Sequence, residues 1–340
     1  MARSQRIKST LWSPTHHLQS LIAGGSRTRV EEFVILILLS RFLCALPLRW
    51  VLNFGRLLGL IWYYLIPVRV SVARKNMRRV LGDNITDQQL RTMTRRCCQH
   101  MAMNILEGFR IPELKRELDS PRFDLQGVEI VEQAADLGKG IAMVSLHMGN
   151  FELFIANMAC RNFPLHVVYK DIHWKAAHDF WNLVRDTTGI KAIAPRKSKS
   201  RIKEVLAQGE FVGFASDQHM PPHRAIVCEF LGQLAATTPA APRFALETGA
   251  AIVLAFTVRK DEDLTHHLMK YEAFELETPF ETTAENIRHN TQRLNDWMGS
   301  IIRAYPEQWL WHHKRFKIDK LLDQYDIPPH LEHLIESNHA

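Results

Sequence analysis

Apolar residues are unevenly spread along the 340-residue chain, and two dense stretches come first. Phe33 to Leu48 reads FVILILLSRFLCALPL, and Val51 to Pro67 reads VLNFGRLLGLIWYYLIP. Each falls short of the roughly 20 clean apolar residues a spanning helix needs, and Arg41 and Arg56 interrupt them. The pattern predicts a helical membrane anchor, and an embedded or interfacial hairpin fits it as well as a single span. Trp50, Trp62, Tyr63 and Tyr64 suit an interfacial aromatic belt. Arg69, Arg74, Lys75, Arg78 and Arg79 follow at once, a polybasic segment matched to anionic lipid. The alternative is a buried helical hairpin of a soluble protein.

From Asp83 to Leu118 polar and apolar residues mix at helical spacing. Pro121 opens a different regime. IAMVSL (141–146), LHVVY (165–169), FVGFAS (211–216), AIVCEF (225–230) and AIVLAFTV (251–258) read as strands. Helix-like segments lie near 128–138, 151–161, 175–188, 199–208 and 237–248. This alternation predicts an α/β fold, a mixed sheet flanked by helices. Residues 283–304 form a late amphipathic helix with Ile287, Leu294, Trp297 and Ile301 on one side. After Asp319 the chain is short and polar, carries Pro328 and Pro329, and is expected to fray. The resulting division is a basic extension at 1–29, an anchor at 30–72, a catalytic domain at 73–320 and a polar tail at 321–340.

Composition narrows the picture. With 46% hydrophobic residues the chain has material for one large domain and something besides. A net charge of +7 points to anionic partners without choosing among nucleic acid, membrane and phosphorylated substrates. The five cysteines are odd in number and show no CxxC spacing, so neither a disulfide framework nor a zinc ribbon is expected. Residues 1–29 are basic, and no small-residue cleavage site closes the apolar run after them. A retained anchor with a cytoplasmic basic flank fits better than a secretory signal.

Candidate chemistry concentrates in IAMVSLHMGNFELFIANMAC, 141–160. A strand ends at Leu146 and His147 follows at its carboxyl end, where open α/β sheets gather their sites. Gly149 and Asn150 make a turn, with Asn150 placed to cap the next helix and Glu152 in that helix's first turn. Acyl transfer to an alcohol needs a base for the hydroxyl proton, and imidazole titrates in the right range. A carboxylate on the far ring nitrogen fixes its tautomer, the role expected of Glu152. A zinc site is the competing chemistry, but the 17 histidines make no recognisable zinc spacing.

Six blocks in order make the chain resemble the lipid A biosynthesis acyltransferases, the lauroyl- and myristoyl-transferring branch of the lysophospholipid acyltransferase-like enzymes. They are VARKNMRRVLG (72–82), SLHMGNFE (145–152), FWNLVRDTTGI (180–190), GEFVGFASDQHM (209–220), FLGQLAATTPAAPRFALETGAAIV (230–253) and PEQWLWHHKRFK (306–317). The resemblance spans about residues 33–318. It implies His147 and Glu152 as the catalytic pair and Arg185 as a charge stabiliser, steadying an oxyanion or holding an acceptor phosphate. Asp217 and Gln218 match the family's pair at a strand end, beside the pocket. Lys170 stands where many members carry arginine, which keeps the charge but loses the bidentate fork. Asn150, Lys170, Asp217 and Gln218 are the expected substrate-binding residues.

What the resemblance implies beyond the site is also specific. No cofactor or metal is expected, only an acyl thioester as co-substrate, delivered by acyl carrier protein or coenzyme A. The acceptor is a membrane lipid, first a lipid A precursor; a lysophospholipid, an amino-acid lipid or another glycolipid remain alternatives. The enzyme belongs at the bacterial inner membrane, on an anionic surface, with its catalytic domain on the cytoplasmic face. Arg196, Lys197, Lys199, Arg201 and Lys203 form either a solvated face or a docking patch for an acidic carrier. The block at 306–317 is read as packing with a membrane-facing rim. A non-catalytic basic membrane-binding protein is the rival of a different class, and nucleic-acid binding, resting on pI alone, is not expected.

Overall fold

The computed structural model describes residues 18, 19, 22, 26–169, 171–195 and 198–336. Most of the basic extension, with Lys170, Arg196 and Lys197, lies outside them.

Among the described residues, the helices α1 (Arg27–Ala45), α2 (Leu48–Tyr64), α3 (Val70–Leu81) and α4 (Asp87–Gly108) precede the sheet. Ser26 caps α1, and Pro47 opens α2 after a two-residue break. Thr86 and Gln89 close a capping box at the start of α4. Among the described residues, no helix is long and apolar enough to cross a membrane.

The first two helices divide their surfaces. Inner-face residues Phe33, Leu36 and Ile37 of α1 join the main core, and Arg29 grips Asp179 through two bonds of 2.7 and 2.8 Å. On α2, Gly55 and Gly59 face α4 so closely that a Cβ at 59 would stand 2.4 Å from the Gln99 Cα. Glycine is therefore required where the two backbones meet. The opposite faces stay exposed, with Ile35, Leu38 and Phe42 on α1 and Trp50, Phe54, Leu57 and Tyr64 on α2.

The sheet has seven strands: β1 (Phe123–Gln126), β2 (Ile141–Ser145), β3 (Leu165–Val168), β4 (Lys191–Ile193), β5 (Phe211–Ala215), and, after a separate hairpin β6 (Ile226–Phe230) and β7 (Gln233–Thr237), β8 (Ala251–Arg259) and β9 (His267–Phe274). Their order is β1-β9-β8-β2-β5-β3-β4, parallel except where β8 meets β9. The mixed α/β sheet expected from the alternating pattern is present. Helices α5 (Val128–Asp136), α6 (Phe151–Cys160), α7 (Lys175–Thr188), α8 (Ser198–Ala207), α9 (Ala240–Thr248) and α10 (Thr283–Ala304) cover it.

Strand β2 is buried on both faces, as a central parallel strand must be. Ile141 and Met143 pack under α6, α7 and α1, while Ala142 and Val144 pack against α8 and α9. This is the two-residue period of a strand. A third apolar cluster closes the carboxyl end of the sheet, where Leu146, Met148, Trp309 and Trp311 meet Ala73 and Met77 of α3.

Two expectations are corrected. The strand at 225–230 is not part of the main sheet; it pairs with β7 through a tight turn in which Leu231 and Gly232 have φ of 58° and 79°. The segment after Asp319 is packed over its described residues up to 335, where Tyr325, Leu331 and Leu334 bury themselves with Ile318 against Val227, Leu234 and Ala236 of that hairpin.

Candidate active site

The site forms because β2 and β5 are parallel neighbours in register. Ser145 pairs with Ala215, and the Ser216 N–H donates to the Ser145 carbonyl at 3.2 Å. His147 and Asp217 therefore leave the sheet side by side. The Asp217 carboxylate accepts from His147 twice, from ring Nδ1 at 2.8 Å and from the backbone N–H at 3.0 Å. Trp309 Nε1 donates to the same carboxylate at 2.7 Å.

The backbone around His147 is fixed from two directions. Residues 308–310 run alongside it, with Leu310 N–H donating to the His147 carbonyl and Gly149 N–H to the Gln308 carbonyl. Met148 and Trp309 form the bridge between them. Gly149 turns the chain with φ of 53°, and a Cβ there would stand 2.3 Å from the Thr257 carbonyl oxygen. Only glycine fits that turn.

Electrostatics decides which ring nitrogen of His147 carries the proton. Burial opposes the ionisation of Asp217, but His147 and the Trp309 donor hold its carboxyl down at about 2. An ionised carboxylate can only accept, so His147 Nδ1 carries the proton and Nε2 the free electron pair. Burial disfavours the imidazolium, yet the Asp217 charge and hydrogen bond, with Glu152 farther off, raise His147 above its ordinary value. Gln218 places its amide nitrogen 3.2 Å from Nε2, and the Phe151 ring stands edge-on to the imidazole at 4.8 Å.

Glu152 does not hold the far ring nitrogen as expected. No hydrogen bond joins it to His147, and Asp217 has that position because parallel register, not helical proximity, sets the neighbour. Burial pushes the Glu152 carboxyl up, against the opposing charges of Arg185 and His147. Arg185 is buried on α7, with its guanidinium 3.4 Å over the Tyr169 ring and one bond of 3.0 Å to Asn182. Its Nε has no partner among the described residues, nor has the Tyr169 hydroxyl.

Asn150, expected at the substrate, has its side chain engaged within the scaffold. It is 2% exposed; its Oδ1 caps α6 through Leu153 N–H, and its Nδ2 donates to Glu107 at 2.9 Å. The membrane-facing rim expected at 306–317 is likewise absent at its aromatic positions, since Trp309 and Trp311 are each 1% exposed. In the basic run, Arg201 and Lys203 pair with Glu204 and Glu247 at 2.7 and 2.9 Å.

Trp309 and Arg315 are site residues that sequence reasoning missed as such. Arg315, fully buried, donates to the carbonyls of Gln218 and Ala236 and to the Thr237 hydroxyl. It braces the 217–218 turn from behind. Both lie in a block singled out by its aromatic and basic residues, which was the available signal.

The sequence profile of the bacterial lipid A biosynthesis acyltransferases matches residues 27–318, most of the chain and all of this site. The chain belongs to that family. It is 23% identical over 285 residues to the lipid A biosynthesis lauroyltransferase of Escherichia coli (strain K12), covering 80% of this chain and 87% of that protein. Membership makes the chain an acyltransferase. In this member of the family, His147, Asp217 and Trp309 come from three separate segments, and all three lie within the matched region.

Proposed function

We propose that the enzyme moves a fatty acyl chain from a thioester, carried by acyl carrier protein or coenzyme A, to a hydroxyl of a lipid A precursor. One observation carries the reading: Nδ1 of His147 is tied to an ionised Asp217, which leaves Nε2 as a base of raised affinity for protons. The acceptor hydroxyl attacks the thioester carbonyl while Nε2 takes its proton. The tetrahedral oxyanion then collapses, the C–S bond breaks, and the imidazolium returns the proton to the departing thiolate. No enzyme nucleophile is needed. The Arg185 guanidinium, with an unused Nε, is the group offered to the oxyanion or to an acceptor phosphate.

The exposed apolar faces of α1 and α2 support membrane contact, with lipid substrate reached from the surface. Trp50, Phe54, Leu57 and Tyr64 are flanked by Arg49, Arg56, Arg69 and Arg74, a pairing of apolar insertion with attraction to anionic headgroups. The enzyme would then lie on the cytoplasmic face of the bacterial inner membrane.

The direct test is transfer by purified full-length protein in mixed micelles. It is offered lauroyl- or myristoyl-thioesters of acyl carrier protein and of coenzyme A, with a lipid A precursor as acceptor. Ester formation by the wild type and its loss in His147→Ala are expected. Equal transfer by both proteins would remove His147 as the base.

A further inference from the structure

Behind the catalytic turn lies a cluster of charge that the reaction does not use. Glu107, near the end of α4, and Arg259, at the end of β8, are both fully buried, and their side chains meet at 2.6 Å. Arg122 reaches the other Glu107 oxygen at 2.9 Å and holds Glu117 at the same distance. His267, also fully buried, stands 3.1 Å from Glu107. Burial pushes His267 down to about 4, so it is neutral and its Nε2–H donates to the carboxylate. Two carboxylates thus face two guanidiniums.

Burying this set is costly, and a well-packed apolar cluster of the same volume is often as stable or more so. What the cluster does hold is the turn after His147. Glu107 accepts from Asn150 at 2.9 Å. Asn104, one turn earlier on α4, accepts from Arg259 at 3.0 Å and donates to the Gly149 carbonyl at 2.7 Å. Arg259 itself is fixed to the 308 segment, where Gln308 bonds its N–H and carbonyl at 2.8 Å each. That segment also supports His147 and carries Trp309.

We propose that Glu107, through Arg259, Asn104 and Asn150, is a positioning residue that fixes the Met148–Asn150 turn and so holds His147 in register with Asp217. The proposal rests on His147 being the base. Burial alone would favour a protonated Glu107; Arg259, His267 and Arg122 hold it well below the usual carboxylate range, so it stays an acceptor for Asn150. Loosening the turn lengthens the Nδ1 contact to Asp217, and reacting atoms displaced by an ångström lose rate steeply.

The experiment compares wild type, Glu107→Gln and Asn104→Ala as full-length proteins, by kcat, KM, the acid limb of kcat/KM and thermal melting. Asn104→Ala keeps the ion pairs and removes the tie to the Gly149 carbonyl together with one bond from Arg259, so it decides the matter if Glu107→Gln does not fold. The proposal expects folded Asn104→Ala with kcat lowered about 10-fold or more and KM little changed. Its acid-limb midpoint moves down toward that of an ordinary imidazole, because Asp217 grips the ring less firmly. A purely structural role predicts lost activity in proportion to unfolded protein with the midpoint unmoved, and that result overturns the proposal, as does wild-type kinetics in a folded variant. If the wild type itself transfers no acyl group, the functional reading fails instead, which the same experiment shows separately.

Discussion

His147 and Asp217 stand at equivalent places beyond two parallel, hydrogen-bonded strands, and that register brings Nδ1 to 2.8 Å from the carboxylate. The His147–Asp217 pair is therefore made by the sheet. Glu152, five residues along the chain from His147, is buried within reach of the Arg185 and His147 charges instead.

Asp217→Asn tests the pair. The amide keeps the shape but loses the charge that raises His147 and the acceptor that fixes its tautomer. We expect kcat/KM to fall by roughly 100- to 10,000-fold, the usual range for general base catalysis. The sign of the pH effect follows. The active form is neutral imidazole, so activity falls as pH drops through the His147 value. With Asp217 present that value is raised, and in the asparagine variant the midpoint of any residual activity should move to lower pH. A pH–rate profile of the two proteins reads it directly; an unmoved midpoint at full activity would contradict the assignment.

Trp309→Phe removes the third donor to Asp217 and, because the buried indole packs against Phe230 and Trp311, some packing volume as well. A buried carboxylate oxygen losing one partner costs about 1–3 kcal/mol, and the melting temperature should fall accordingly. The Asp217 carboxyl should rise from about 2. Activity should drop at neutral pH by less than in Asp217→Asn, because the other two bonds to His147 remain.

How much of this was legible in the sequence follows from distance along the chain. The strand-tip histidine, the Asn150 cap and the α/β alternation are local, set by neighbours within a few residues, and each is present. The separation of β6 and β7 from the main sheet depends on which strands pair, which the apolar pattern of 225–230 cannot encode. The partner of His147 is 70 residues away, and Trp309 lies 92 residues beyond Asp217. Such contacts are visible only through the register of β2 on β5. Resemblance pointed to Asp217 and Gln218 as substrate-binding residues, and the geometry sets both against the His147 ring. The Glu107 partner of Asn150 was not legible, because a cap with a free amide looks the same in sequence whether that amide meets solvent or Glu107.

Gly59→Val probes the packing of α2 on α4. A Cβ there falls 2.4 Å from the Gln99 Cα, so α2 must move off α4. Overpacking of this kind costs about 1–3 kcal/mol or more, and a matching loss of thermal stability in detergent is expected. An unchanged melt would mean that α2 is not held against α4 as described.

Membrane contact is tested on the opposite face of α2. Replacing Trp50, Phe54 and Leu57, all exposed, by serine leaves the Gly55–Gly59 packing face intact. Co-sedimentation with vesicles of phosphatidylethanolamine and phosphatidylglycerol should be lost in the triple variant while circular dichroism stays unchanged. Undiminished binding would place the membrane-contacting surface elsewhere.

The central claim is acyl transfer with His147 as base, and its most direct test is mass spectrometry of total membrane lipids. The host lacks the gene and receives wild-type or His147→Ala protein at equal, verified levels. The account predicts that one lipid, a lipid A species, gains the mass of a single fatty acyl chain with wild type and not with the variant. Identical lipid profiles from the two folded proteins would contradict it.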